Sequence, residues 1–313
     1  MPTVATQYPL VFVDGTYLSL ADARVSVHAN SLSYGTGTFE GIRAFVTKDG
    51  GLNLLAAREH YTRLHRSAAI LGLELRYTVD DLVDASAQLL RMNAVREDVY
   101  LRPVLALSSE SLQVRMHGLD SRLSIALTPM GLNYINPEGV RCIVSSWRRA
   151  PDQTLPNRAK VIGGYVGPAL AKTEALNCGA DEAIMLNVAG HVAEASTSNI
   201  FIRSRDIWFT PPAYDDILEG ITRAELFVLI NDLLSERVVE RSIDRSELYT
   251  ADEVLLCGTA ALVVPVIEID GRSIGNGSPG ERTATLQKAL LAIGRGDDLR
   301  YAPWVTSVSL ARQ

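Results

Sequence analysis

The sequence predicts a mixed fold, α/β or α+β, in two domains. Its 313 residues correspond to about two domains at roughly 150 residues each. Short apolar runs bounded by turn residues alternate with stretches of helical spacing, which is typical of mixed folds. A stretch that contains Pro, Gly and Asn interrupts this alternation at residues 129–139. We therefore expect one domain over residues 1–128, a linker over 129–139 and a second domain over 140–313.

The first domain is predicted to start with strands and continue with two helices. Asp14-Gly15 between two apolar runs is a hairpin signal. Apolar positions recurring at three and four indicate a helix that stops at Gly72. Pro103 lies inside a strand-like run, so we expect an edge strand or a bulge there. The predicted elements are a hairpin over 10–18, a strand over 39–47, helices over 57–72 and 79–93, and strands over 99–107 and 123–128.

The second domain is predicted to alternate strands with helices. Pro168 suits the first turn of a helix and Gly179 its end. Thr222 with Glu225 fits a capping box at the start of another helix. The predicted elements are a strand over 140–146, a helix over 166–177, a meander over 181–202, a helix over 222–234, a strand over 254–256 and a helix over 282–293.

Composition and charge exclude several function classes. The chain has 36 acidic and 30 basic residues and a net charge of -6, whereas nucleic-acid binding usually shows as a basic surplus. No apolar run reaches the roughly 18 residues of a transmembrane helix, and the first residues lack signal-peptide character. The three cysteines are scattered and the five histidines lack ligand spacing. We therefore expect a cytoplasmic protein without a metal, a nucleic-acid partner or a membrane partner.

Four lysines are the available amine nucleophiles, and Lys160 stands out among them. Lys48 lies in a polar turn, whereas Lys172 and Lys288 fall on polar helix faces. Lys160 is followed by the apolar, glycine-rich segment 161–165. A lysine in such surroundings tends to lose its proton and act as a nucleophile. The alternative is a lysine that merely precedes a helix.

Three further features carry both a functional and an ordinary interpretation. Gly220–Thr222 is either an anion site at a helix N-terminus or a plain capped helix. Gly258–Ala260 is either a second glycine–hydroxyl cup or a simple turn. Glu194 ends a strand, as a site carboxylate or as a solvated turn glutamate. Together with Lys160, these features match the needs of pyridoxal 5′-phosphate (PLP): a Schiff-base lysine, a carboxylate for the ring nitrogen and a phosphate cup.

An ordered series of motifs carries a family resemblance over about residues 10 to 290. The motifs are the segments 33–43, 60–65, 100–103, 159–165, 181–183, 210–212, 218–223 and 251–260, and Glu194 with Asn199. In this order they resemble the branched-chain amino acid aminotransferases, which are fold type IV PLP enzymes. The resemblance implies a small N-terminal α/β domain, a larger C-terminal domain with a β-barrel-like core, and a homodimer or a higher homo-oligomer.

The resemblance implies a complete cofactor site. Lys160 would form the Schiff base with PLP and move a proton between the substrate α-carbon and cofactor C4′. Tyr165 would hydrogen-bond the ring O3′, and Glu194 would pair with the pyridine nitrogen. The remaining cofactor residues would hold the phosphate or pack on the ring: Arg63, Ile221, Thr222 and Thr259 for the phosphate, and Leu218 for the ring.

The resemblance also implies a substrate site for leucine, isoleucine or valine, with 2-oxoglutarate as the amino acceptor in a ping-pong reaction. The implied substrate residues divide by the group they hold: Thr259, Ala260 and Tyr100 for the α-carboxylate, Phe39 and Tyr34 for the side chain, and Arg102 for the second carboxylate of 2-oxoglutarate.

Departures from the family pattern affect the substrate side more than the PLP side. Where relatives have a glycine-rich loop, segment 108–118 carries Arg115 and His117, which are either surface residues or reach a partner subunit's pocket. Ala195 replaces a common glycine and Asn133 an expected tyrosine. The alternatives are a transaminase for D-amino acids or (R)-amines, an aminodeoxychorismate-type lyase, and a non-catalytic small-molecule binder.

Overall fold

The computed structural model describes residues 8–131 and 136–310 and divides into two compact units. Among the described residues, unit 1 comprises 8–131, 159–163 and 292–310, and unit 2 comprises 136–158 and 164–291. These units differ from the continuous domains 1–128 and 140–313 expected from the sequence, because strand pairing draws two later segments into unit 1. Residues 132–135 of the expected linker lie outside the described residues.

Strands and helices alternate along the described chain. The strands, in chain order, are β1 (Leu10–Val13), β2 (Thr16–Ser19), β3 (Gly37–Phe39), β4 (Ile42–Val46), β5 (Leu52–Leu55), β6 (Val99–Leu107), β7 (Ser121–Pro129), β8 (Val140–Arg148), β9 (Glu182–Leu186), β10 (Val192–Ala195), β11 (Asn199–Ser204), β12 (Ile207–Thr210), β13 (Arg237–Glu240), β14 (Glu253–Gly258), β15 (Leu262–Ile269), β16 (Arg272–Ser273) and β17 (Val305–Val308). The helices are α1 (Asn30–Tyr34), α2 (Ala57–Leu71), α3 (Val79–Met92), α4 (Val166–Asn177), α5 (Ile221–Leu234), α6 (Arg245–Leu248) and α7 (Glu281–Arg295). The predicted mixed fold class is confirmed.

Unit 1 contains a sheet in the order β17-β5-β4-β6-β7-β1-β2, with β3 also paired to β6. The predicted hairpin is confirmed, with positive φ at Asp14 and Gly15, as a two-residue turn of this kind requires. Helix α2 ends at Gly72 in the left-handed conformation, as its sequence predicts. Strand β17 pairs with β5, which brings the C-terminal segment into this unit.

The predicted strand over 39–47 is wrong in one respect, because it is broken between β3 and β4 at Glu40 and Gly41. Both strands pair with β6, and the break lies opposite Pro103. Proline has no N–H to donate to a neighbouring strand; instead its carbonyl accepts a hydrogen bond from Glu40 N at 2.8 Å. Pro103 therefore lies in an internal strand next to an interrupted partner, and the break buries the Glu40 side chain.

Unit 2 contains a mixed sheet in the order β10-β9-β8-β15-β14-β11-β12-β13, with β16 on β15. Strand β8 runs parallel to both β9 and β15. The predicted meander is wrong beyond its first pair: β9 and β10 are antiparallel neighbours, but β11 pairs with β12 and β14. A tight turn, in which Ala195 N donates to Ser198 O at 2.8 Å, redirects the chain between β10 and β11.

The capping box predicted at Thr222 is also wrong. Helix α5 starts one residue earlier, with Gly220 as its N-cap and no side-chain cap. Gly220 takes this position because its carbonyl accepts the first helical hydrogen bond, from Ala224 N at 3.1 Å. Thr222 is therefore inside the first turn, and its side chain is buried.

Candidate active site

Lys160 lies in unit 1 on a backbone that three hydrogen bonds hold in place. Its carbonyl accepts from Phe39 N at 3.1 Å and from Thr38 Oγ1 at 2.9 Å. Its N–H donates to Ser67 Oγ at 3.1 Å. These bonds attach segment 159–163 to β3 and α2, so the lysine side chain starts from a fixed position.

The Phe39 ring contacts two basic side chains. Lys160 Nζ lies 5.1 Å from its centroid and the Arg102 guanidinium carbon 4.6 Å from it, within cation–π range. Arg102 also lies 5.2 Å from the ring of Tyr100. A side chain at Gly41 would overlap the Tyr100 hydroxyl, since its Cβ would lie 1.6 Å from that oxygen. Four residues predicted for substrate or catalysis therefore meet here.

The described contacts of Tyr34 are not with the cluster around Phe39. It is 40% exposed on α1 and its hydroxyl donates to Leu112 O at 2.8 Å. The buried Asn30 Nδ2 holds the same loop through Ser111 O and Gln113 O. Segment 108–118 is thus attached to α1, and Arg115 and His117 on it are exposed.

Arg63, predicted to bind phosphate, is paired with a carboxylate. Its Nε and Nη2 donate to Glu40 at 2.7 and 2.8 Å, and His60 Nδ1 lies 2.7 Å from Glu40 Oε2. All three side chains are buried. Sequence reasoning missed Glu40 and His60, because nothing local shows that the strand break would direct Glu40 toward α2.

The charge states in this cluster follow from burial and pairing. Burial alone would raise the pKa of Glu40, but the charge and hydrogen bonds of Arg63, with those of His60, bring it far below its usual range. Burial lowers the pKa of His60, against the opposing effect of Glu40. Glu40 is therefore ionised near neutral pH and His60 neutral. Since a carboxylate only accepts, His60 Nδ1 carries the proton.

Glu194 is the corresponding buried carboxylate of unit 2. A β-bulge between Val192 and Glu194 shifts the register of β10 on β9, and such bulges re-aim side chains. Oε2 accepts from Asn199 Nδ2 at 2.9 Å and Leu218 N at 3.1 Å. Oε1 lies 3.0 Å from Arg149 Nη2. Arg149 was also missed, because its place after β8 gives no sign of a partner 45 positions later in the chain.

Asn199 connects Glu194 with other predicted cofactor residues of unit 2. Its Nδ2 also donates to Leu218 O at 2.8 Å. A Cβ at Gly220 would lie 1.9 Å from its Oδ1, so only glycine fits before Ile221 and Thr222. Asn199 pairs with Cys257, next to the turn that carries Thr259 and Ala260. Tyr165 ends a 3-10 turn over Ile162–Tyr165 and precedes α4.

Each unit, taken by itself, provides groups whose chemistry suits PLP. Unit 1 provides a primary amine and a buried, oriented guanidinium. Unit 2 provides a carboxylate surrounded by donors and a helix N-terminus without a side-chain cap, which is suited to a phosphate group.

Within residues 8–131 and 136–310, no group of three or more His, Cys, Asp or Glu is placed to hold a metal ion. No described helix is long and apolar enough to cross a membrane.

Known proteins similar to this chain are aminotransferases. Residues 37–269 match the family described as amino-transferase class IV. A probable branched-chain-amino-acid aminotransferase of Aquifex aeolicus is 45% identical, over 95% of this chain and 96% of that protein. The solved branched-chain aminotransferase of Thermoproteus uzoniensis with norvaline gives a TM-score of 0.92 at 42% identity, covering 96% and 99%. The solved T.th. enzyme of the same name, complexed with N-(5′-phosphopyridoxyl)-L-glutamate, gives 0.90 at 35% identity, with the same coverage.

The family match over residues 37–269 and the likeness to the solved relatives thus define a class IV aminotransferase. Within this class, the chain belongs to the branched-chain-amino-acid aminotransferase family. The resemblance found in its motifs is confirmed.

We predict that Glu40→Gln destabilises the protein by about 3 kcal/mol at pH 7, because it removes the negative charge that pairs with the buried Arg63 guanidinium. The folded-state pKa of Glu40 is depressed, so its contribution is fully present above the unfolded value of about 4.3 and is lost as the pH falls below it. Denaturant unfolding of both proteins at pH 7 and in acid measures this difference. Glu74→Gln, at an exposed pair, should change stability by less than about 0.5 kcal/mol; a pH-independent Glu40→Gln effect contradicts the assignment.

Proposed function

We propose that this protein is a PLP-dependent transaminase of branched-chain L-amino acids with 2-oxoglutarate as amino acceptor. The observation that carries the proposal is the shared contact of Lys160 and Arg102 with Phe39, since one aromatic ring contacts both an amine nucleophile and a carboxylate-binding guanidinium. The norvaline and phosphopyridoxyl-glutamate complexes of the two solved relatives support one apolar and one acidic substrate.

The cofactor residues have distinct tasks in this proposal. Bound PLP supplies an electron sink for the pair left when the substrate α-proton is removed. Lys160 Nζ holds the cofactor between turnovers and then carries the proton. Glu194 fixes the ring nitrogen and Tyr165 the ring O3′. The others hold the phosphate or cover the ring: Arg63, Ile221, Thr222 and Thr259 for the phosphate, and Leu218 for the ring.

The substrate residues explain how one pocket takes two kinds of side chain. Phe39 and Tyr100 present aromatic surface to a branched alkyl group. Arg102 is an exposed residue, and its guanidinium lies over both rings. A guanidinium stacks on aromatic rings and also binds a carboxylate bidentately, so Arg102 serves the acidic substrate without a second pocket. Thr259 and Ala260 hold the α-carboxylate in both half-reactions.

We also infer a homodimer. Unit 1 exposes five apolar side chains on two segments that hydrogen bonds from Asn30 and Tyr34 hold together: Val25, Val27, Leu32, Leu112 and Val114. Neighbouring exposed apolar side chains mark interaction surfaces. Tyr34 would then reach substrate through the assembled dimer, since its described contacts are with the loop.

A cytoplasmic location completes the proposal. Cys142, Cys178 and Cys257 are free thiols, as is usual in a reducing compartment.

We predict that Lys160→Ala abolishes transamination, because no other described lysine has this environment. The test is the absorption spectrum of the PLP-loaded protein before and after L-leucine, without acceptor. The wild type should convert to the pyridoxamine form, and Lys160→Ala should not. Lys172→Ala is the control, since Lys172 Nζ is paired with Glu182 at 2.8 Å; it should behave as wild type. A response to D-alanine or (R)-1-phenylethylamine but not to L-leucine would instead favour the alternative substrates.

We predict that Arg102→Ala slows the 2-oxoglutarate half-reaction by roughly tenfold or more and the leucine half-reaction much less. The reason is that a charge-assisted hydrogen bond contributes about 1.5–3 kcal/mol, and only the acidic substrate makes it. Single-turnover rates of each half-reaction measure the difference. Equal losses would remove Arg102 from acceptor binding.

We predict that Leu112→Glu with Val114→Glu converts the dimer to monomer, because charges would replace apolar contacts. Light scattering after gel filtration measures the mass. Val188→Glu with Tyr214→Glu, at exposed positions of unit 2, is the control and should leave the mass unchanged. An unchanged mass for the first variant would place the interface on another surface.

A further inference from the structure

We propose that Arg149 is a positioning residue that keeps the Glu194 carboxylate charged and oriented, and thereby keeps the proton on the PLP ring nitrogen. This inference rests on the proposed function, because it assigns a task to the residue behind the carboxylate that would meet the ring.

Arg149 is placed to act on Glu194 and is itself immobilised. The side chains are 11% and 8% exposed, and Nη2 lies 3.0 Å from Glu194 Oε1. The guanidinium also donates from Nε to Asp216 O at 3.1 Å and from Nη2 to Asn157 Oδ1 at 2.8 Å. Arg149 N donates to Leu186 O at 2.9 Å, which aligns the residue with the end of β9.

The partners of Arg149 are fixed as well. Asn157 Nδ2 donates to Ala150 O at 2.7 Å, and Asn157 N to Asp152 Oδ1 at 3.1 Å. Asp152 N donates to Asp216 Oδ1 at 3.1 Å. A guanidinium is a planar, rigid fork, so these contacts determine its plane. These contacts therefore hold the Arg149 guanidinium in its position against Glu194.

The described contacts of Glu194 hold both carboxylate oxygens. Oε2 accepts hydrogen bonds from Asn199 and Leu218, and Oε1 faces Arg149. Arg149 is therefore in direct contact with the group that would pair with the ring nitrogen.

The charge of Arg149 then determines where the proton shared by Glu194 and the ring nitrogen resides. The proton has two locations: on the ring nitrogen beside a charged carboxylate, or on a neutral carboxyl beside an unprotonated ring. A cation in direct contact with the carboxylate stabilises its charged form more than it opposes a positive charge farther away, since Coulomb energy falls with distance. Arg149 therefore favours the protonated ring, which is the better electron acceptor.

The experiment compares wild type with Arg149→Gln and Arg149→Lys, loaded with PLP labelled with nitrogen-15 in the ring. The nitrogen-15 chemical shift reports protonation of the ring without turnover. We expect Arg149→Gln to move the shift toward the unprotonated ring and to weaken PLP binding by the apoprotein roughly tenfold or more, as expected for losing a hydrogen bond to a charged group. We expect Arg149→Lys, which retains the charge, to restore the shift toward that of wild type.

Arg203→Gln is the matched control. Arg203 pairs with Glu236 at 2.8 Å, and these side chains are 11% and 7% exposed, but neither residue contacts Glu194 in the described hydrogen bonds. It should leave the nitrogen-15 shift unchanged. A wild-type shift in Arg149→Gln, an equal change in Arg203→Gln, or equal shifts in the Gln and Lys variants at position 149 would overturn the proposal.

Failure of the proposed function is recognisable separately. If wild type itself neither binds PLP nor attaches it to Lys160 after borohydride reduction, the proposed function fails. If wild type binds PLP and the Arg149 variants show the wild-type shift, only the role of Arg149 fails. Should Arg149→Gln not fold, the comparison of Arg149→Lys with wild type remains, and loss of the protonated-ring shift despite the retained charge overturns the proposal.

Discussion

A buried carboxylate must be surrounded by donors, and this constraint organises the residues assigned to PLP. Removing an ion from water costs several kcal/mol, which only close charges and hydrogen bonds offset. Glu40 meets the requirement through Arg63 and His60, and Glu194 through Arg149, Asn199 and Leu218. The backbone is irregular at both: pairing breaks at Glu40, and a bulge precedes Glu194.

In unit 2 the constraint extends through one amide side chain. Asn199 donates both to the Glu194 carboxylate and to Leu218 O, so the segment before α5 is tied to β10. Its Oδ1 lies where a side chain at Gly220 would be, which fixes the start of α5. The same residue pairs with Cys257 beside the Thr259 turn. Substituting Asn199 would therefore disturb the carboxylate, the helix start and the turn together.

The sequence predicts what local chemistry determines. The Asp14-Gly15 hairpin and the end of α2 at Gly72 depend on backbone preferences within a few residues, and both are confirmed. Lys160 could be proposed from its apolar, glycine-rich surroundings, and Glu194 from its place in the ordered series of motifs. The strand break opposite Pro103 and the start of α5 depend on distant strands and on Asn199. Glu40, His60 and Arg149 could not be predicted as site residues for the same reason, because their partners lie far along the chain.

The Arg63–Glu40 pair affects how the proposed site balances the charge of a phosphate. Two of the five N–H donors of Arg63 bind Glu40, and the Glu40 charge offsets that of the guanidinium. Arg63 alone therefore does not neutralise the two negative charges of a phosphate group. The first turn of α5 has no side-chain cap and carries the partial positive charge of a helix N-terminus. Phosphate binding would then depend on oriented backbone N–H groups more than on a surplus of cations, which is compatible with a net charge of -6.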